Sequence, residues 1–236
     1  MRSSQLAPQM DRKTTARIAG AIYLVMSLFA APELLFIPNY VIAGDAAATA
    51  QRIADGADTY RLLMLGGLIG SILFIVLGWS LYYLFEEVDR KLAMLMLLLV
   101  VASSTLGIVD TGMLSPPLVL HARPEFLSAF TAPQLDALSL ALLQIREYVL
   151  RANESLWGVW LIPFGILIVK SRFIPKIIGV LLLIASVGYI AMSFAAIAFP
   201  AQSAAVARVG SILIQCELSV ILWLLIMGAR NDPLAT

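Results

Sequence analysis

The chain has little of what chemistry usually needs. It holds one cysteine, Cys216, and one histidine, His121, in 236 residues. A lone cysteine excludes a disulfide within the chain and leaves the redox compartment unread. Zinc sites take three or four His, Cys or carboxylate ligands. A histidine-rich metal centre is therefore excluded, and we expect no metal and no cofactor. Charge is scarce as well: 13% of residues are Asp, Glu, Lys or Arg, and the net charge is +1. Neutralising phosphates needs a clustered basic face, so nucleic acid is not an expected partner. Ser103, Ser104 and Thr105 have no nearby His or Lys to serve as a base, and no glycine-rich phosphate loop is present. We expect no catalytic residues, and an intramembrane enzyme with paired carboxylates as acid and base ranks last among the readings.

Apolar residues fill the space: 61% are hydrophobic and the mean hydropathy is +0.91. Soluble domains hold roughly 45–50%. The expected fold class is therefore an all-α integral membrane protein, a six-span helical bundle lying in a lipid bilayer. Residues 1–15 read as a polar cytoplasmic tail, 16–228 as the membrane domain and 229–236 as a second cytoplasmic tail. The spans are expected at about 16–38, 62–85, 92–115, 152–170, 177–199 and 209–228. Basic residues before the first span also fit a signal peptide. No small-x-small cleavage site follows, so the span reads as retained.

Between spans the signals are local. Asp45 is placed as the N-cap of a short helix in the first outer loop. Gly66 and Gly70 have the spacing that lets a neighbouring helix come close. Glu86 to Lys91 reads as a tight charged turn. Pro116-Pro117 should stop the third span, and Leu118 to Phe130 reads as loop. Thr131-Ala132-Pro133-Gln134 reads as a capping box that opens the fourth helix. An amphipathic extension, 132–151, precedes the fourth span, with Leu138, Leu142, Ile145 and Val149 as its apolar stripe. One helix from Ala132 to Val169 would be about 57 Å long at ~1.5 Å per residue. It must project from the bilayer or bend near Asn153.

Orientation follows from the bias of basic residues. Arg2, Arg12, Lys13, Arg17, Arg90, Lys91, Lys170, Arg172, Lys176 and Arg230 fall on one side. They outnumber Arg52, Arg61, Arg123, Arg146, Arg151 and Arg208 on the other. Both termini are expected in the cytoplasm, and the protein in the plasma membrane.

Three segments carry a resemblance. They are Ala16-Arg17-Ile18-Ala19-Gly20, Gly44-Asp45-Ala46-Ala47-Ala48-Thr49-Ala50, and Ser171-Arg172-Phe173-Ile174-Pro175-Lys176-Ile177-Ile178-Gly179. In this order and with this span spacing, the chain resembles the bacterial membrane family called domain of unknown function 4386. The resemblance implies a bacterial plasma-membrane protein and brings no activity or site residues.

Ionisable residues inside spans default to functional candidates. Glu33, Asp110, Glu154 and Glu217 qualify. From the rise per residue, the first three sit roughly 24–27 Å from the inner ends and Glu217 roughly 18 Å. One reading is an outward-facing acidic cavity in which Glu217, Glu154, Asp110 and Glu33, with Gln215 and Asn153, bind or conduct a small cation, polar or amphiphilic ligand. The other is a structural or accessory subunit. There Arg151, Arg61 and Arg208 neutralise the acids, and the fourth helix docks a membrane protein partner. Arg151 discriminates: with Glu147 four residues back and Glu154 three on, it can pair with both.

Overall fold

A computed structural model describes residues 11–230. The tails expected at either end lie mostly outside the described residues. All regular structure among the described residues is helical. The helices are α1 (Arg12–Phe36), α2 (Ala46–Asp55), α3 (Ala57–Gly112), α4 (Pro116–His121), α5 (Ala132–Ser171), α6 (Lys176–Ala198), α7 (Pro200–Leu213) and α8 (Leu218–Ile226). A 3-10 turn, Ile37–Tyr40, follows α1, and another, Ile214–Glu217, joins α7 to α8. Five helical stretches are long and apolar enough to cross a membrane: Arg12–Tyr40, Ala57–His121, Ala132–Ser171, Lys176–Ala198 and Pro200–Ile226. The chain is thus of multi-pass membrane type.

Several local signals hold. Asp45 caps α2 by accepting the Ala48 N–H at 2.9 Å. Gln134 Oε1 accepts the Thr131 N–H at 2.8 Å, which closes the capping box. Gly66 and Gly70 pack within the chain: side chains there would collide with Phe29 and Ala30 of α1.

Other boundaries differ from those expected. The charged turn at Glu86–Lys91 is helical except at Asp89, whose backbone is extended (φ −160°, ψ 98°). Asp89 Oδ1 accepts the Leu92 N–H at 3.1 Å, so this residue both breaks the first arm of α3 and caps the second. The arms fold against each other, with Gly78 in contact distance of Val100 and Leu97. Pro116-Pro117 do not stop the third span. It ends at Gly112, and the prolines occupy the first turn of α4, where a missing N–H costs nothing. Pro200 likewise opens α7, so helix begins well before Val209. α5 keeps helical backbone through Asn153, and its first half packs on α2 and α4.

The buried face of α5 is separate from its apolar stripe. Leu135, Ser139, Leu143, Arg146, Leu150 and Asn153 point inward. Of the expected stripe, Leu138 is 39% and Ile145 53% exposed. Arg146 and Asn153 turn inward because partners await them there, while Leu138 and Ile145 face outward.

The main core sits between α1, both arms of α3, α5, α6 and α8, around Trp160, Phe164, Leu77, Leu81 and Met96. One end of the bundle is tied shut. Arg17 donates to the Ile226 carbonyl at 2.9 Å, the Arg230 N–H donates to the Phe173 carbonyl at 3.0 Å, and Arg12 pairs with Glu87 at 2.7 Å. Lys170 pairs with Asp89 at 2.7 Å. This end therefore gathers the two described termini, the Asp89 turn and the α5–α6 connection. At the far end, a smaller core of Ile37, Ile53, Tyr60, Leu63, Leu114 and Leu143 holds α2 and α4 over the bundle.

Candidate functional site

Buried polar groups lie in layers along the bundle. Nearest the far end, Arg146 of α5 donates to Glu33 of α1 at 2.8 Å and to Asp110 of α3 at 2.6 Å. All three are at least 95% buried. Thr111 donates to Glu33 at 3.3 Å. The glycine at position 67 makes room: a Cβ there would fall on Glu33 Oε2. Glu33 and Asp110 are thus neither lipid-facing nor open. One guanidinium stitches three helices, because a buried charge persists only when paired. Asp110 Oδ1 and Arg146 Nε have no hydrogen-bond partner.

Arg151, one or two turns along α5, folds back on its own helix. It pairs with Glu147 at 2.5 Å and with Glu154 at 2.6 Å. Its carbonyl accepts from Ser193 of α6 at 2.7 Å. Of the other expected cations, Arg61 pairs with exposed Asp58 at 3.0 Å. Arg208 is exposed and has no ion pair among the described residues.

Seven residues from Arg146, or ~10 Å along the helix, Asn153 Oδ1 accepts from Ser103 at 2.8 Å. Asp110 to Ser103 is also seven residues, so the two helices keep register between these layers. A cavity of about 290 Å³ opens here. Asn153, Ser103 and Ser104 line one side, and Glu217 and Gln215 the other. Ser104 is 2% exposed and its hydroxyl has no partner.

Glu217 owes its position to the 3-10 turn between α7 and α8. Its carboxylate accepts from Tyr23 of α1, and from Tyr189 of α6 at 2.9 Å. Trp157 stands edge-on to Tyr189 at 6.0 Å between centroids, and Trp160 packs on Tyr23 at 6.1 Å and Phe74 at 5.1 Å. Among the described residues no basic side chain pairs with Glu217. Gln215 is exposed at the cavity edge and bonds back to the Ser211 carbonyl at 3.4 Å.

The four acids therefore do not share one space. Glu33 and Asp110 share Arg146, Glu154 has Arg151, and Glu217, Gln215 and Asn153 line the cavity. Reasoning from the chain alone misses Arg146, Tyr23, Tyr189 and Ser103. A signal for Arg146 exists: Ser139, Arg146 and Asn153 recur every seven residues on α5, a polar seam that only a buried, partnered face would keep. No group of three or more His, Cys, Asp or Glu suited to hold a metal occurs among the described residues.

The long apolar helices, a buried ion cluster and an aromatic cavity with a lone carboxylate define a multi-pass helical membrane protein with an internal cavity. The chain belongs to the family described as domain of unknown function (DUF4386), whose profile matches residues 18–228. No curated protein and no solved structure matches it significantly.

Proposed function

We propose that the protein is a bacterial plasma-membrane protein that binds a small cationic ligand at Glu217. The supporting observation is that Glu217 is the intramembrane acid facing a cavity with phenols, not a cation, as partners. A carboxylate among aromatic rings is suited to a positive charge, through the ion pair and through ring faces that attract cations. Glu33, Asp110 and Glu154 fit the structural reading instead, as neutralised partners that fix helix positions.

In this reading the chain crosses six times. The arms of α3 on either side of Asp89 each make one crossing, and α7–α8 together make the last. Arg12, Lys13, Arg17, Arg90, Lys91, Lys170, Arg172, Lys176 and Arg230 belong to the tied end, a bias that supports reading that end and both termini as cytoplasmic. Single cysteines in a Cys216→Ser background test this. Position 89 should label only from inside and position 123 only from outside; the reverse pattern inverts the topology.

The binding reading is tested by thermal unfolding of the purified protein in lipid nanodiscs, with alkylammonium ions as probes. Glu217→Gln should abolish ligand-induced stabilisation while the ligand-free melting point holds, since the amide can accept from one tyrosine and donate to the hydroxyl oxygen of the other. A variant that keeps the full ligand shift would sink the proposal. A lowered ligand-free melting point, with no ligand shift in the wild-type protein, would make Glu217 structural.

A further inference from the structure

The cavity is partly enclosed. Its polar wall, Ser103, Ser104 and Asn153, is at most 2% exposed, as is Trp160. The most exposed lining residues are Leu34 of α1, and Gln215 and Leu218 at the α7–α8 junction, while Ser71, Gly107, Trp157 and Tyr189 are half-buried. α1 packs tightly on α8, where Gly20 lies against the backbone of Leu224 and Leu225. It does not continue that packing along α7. The opening is therefore a slot between α1 and the Ile214–Glu217 turn.

Around this slot the exposed side chains on α1, α7 and α8 are mainly apolar, with Leu28, Leu35, Val209, Ile212 and Leu222, and the polar Ser211 and Gln215 lie on the α7 side. Glu217 lies nine residues from Ile226, the end of α8, ~14 Å along the helix, within a hydrocarbon layer of ~30 Å. The slot thus faces lipid and not water. About 290 Å³ of space holds roughly ten groups of water size at ~30 Å³ each. That is room for a headgroup and a few carbons.

We infer that the ligand is a single-chain amphiphile with a primary ammonium head, taken up sideways from the bilayer. The inference rests on the cation-binding reading of Glu217 and adds the chain and the route. The ammonium donates to Glu217, and the buried Ser104 hydroxyl, without a partner among the described residues, adds an acceptor to the same cavity. The first carbons lie against Trp157 and Trp160, and the rest of the chain leaves between Leu34 and Leu218. A charged nitrogen inside hydrocarbon is costly unless paired, which makes a fixed carboxylate at the end of a lipid-facing slot a trap for such a molecule.

The test uses full-length protein in phosphatidylcholine nanodiscs with two probes, ethylammonium and a dodecylammonium bearing a mid-chain diazirine. We expect the long probe to raise the melting point at concentrations at least tenfold below any effect of ethylammonium. On irradiation it should label peptides containing Leu34 and Leu218. Glu217→Gln should remove both effects, and Leu218→Trp, which fills the slot from its exposed rim, should cut the labelling at Leu34. Equal potency of ethylammonium would overturn the chain and its route while leaving the cation site standing. Labelling spread over all lipid-facing helices and unchanged in Glu217→Gln, with no stabilisation by either probe, would overturn both.

Discussion

Two regions of one bundle hold buried carboxylates and treat them oppositely. At Glu33 and Asp110 the acid meets an arginine, a threonine and a space kept by Gly67. At Glu217 it meets two phenols and a cavity. Glu154 is intermediate: its partner Arg151 comes from the same helix and is half-buried. The difference teaches how to sort intramembrane acids. Presence at a similar depth says little. What matters is whether the neutralising charge is already built in. Where it is, the acid ties helices together; where it is not, a ligand can supply it.

The hardest way to break the comparison is to remove the built-in charge. Arg146→Met leaves two carboxylates buried against each other, and breaking a buried pair costs about 3–5 kcal/mol. The variant should express poorly and melt far below wild type. Adding Glu33→Gln and Asp110→Asn should recover most of the loss, because a fully uncharged cluster carries no such penalty. If Arg146→Met alone melts like wild type, the arginine does not neutralise the pair, and the sorting rule fails.

A smaller effect comes from geometry rather than charge. Gly67→Ala puts a methyl where Glu33 Oε2 now lies, and 3.1 Å from Thr111 Oγ1. Overpacking of this kind costs about 1–3 kcal/mol. A double-mutant cycle with Glu33→Ala should show the two changes to be strongly coupled, since neighbours in contact are not additive. Simple additivity would mean that Gly67 serves only the approach of α1 to α3. The matching exchange at the other region, Gly70→Ala, meets Ala30 and not a charged group, so Glu33→Ala should leave its cost unchanged.

These regions are unequally legible in the chain. Hydropathy makes the membrane class plain, and local chemistry places the Asp45 cap and the capping box at Thr131, since each depends on residues within one turn. Glu217 stands out because nothing within a turn can pair with it. The Arg146 cluster is not legible, because its members are 36 and 113 residues apart along the chain. Charge bias instead assigns Arg146 to the outer side, and periodicity picks out the neighbouring apolar stripe and not the polar seam. The division of the acids into separate groups depends on how α1, α3 and α5 rotate about their axes, which hydrophobicity leaves open when both lipid and core are apolar. The small extent of the Asp89 break is hidden for a related reason. A turn of one extended residue needs no glycine or proline, so no breaker marks it.

The smallest effect sharpens the contrast between paired charges themselves. Lys170 and Asp89 also form an ion pair between separate elements, at 2.7 Å, but half of the lysine side chain is exposed at the tied end. Exposed pairs contribute about 0–1 kcal/mol, so Lys170→Met should shift the melting point slightly. Salt separates the two cases. The screening length falls from ~10 Å at 0.1 M to ~3 Å at 1 M, which should erase the Lys170→Met effect, while the Arg146→Met loss persists at both. A Lys170→Met loss as large and as salt-independent as that of Arg146 would show that the tied end is held as tightly as the buried cluster. The bundle would then be clamped at two levels of α5, Arg146 and Lys170, on the far and tied sides of the slot between α1 and the Ile214–Glu217 turn.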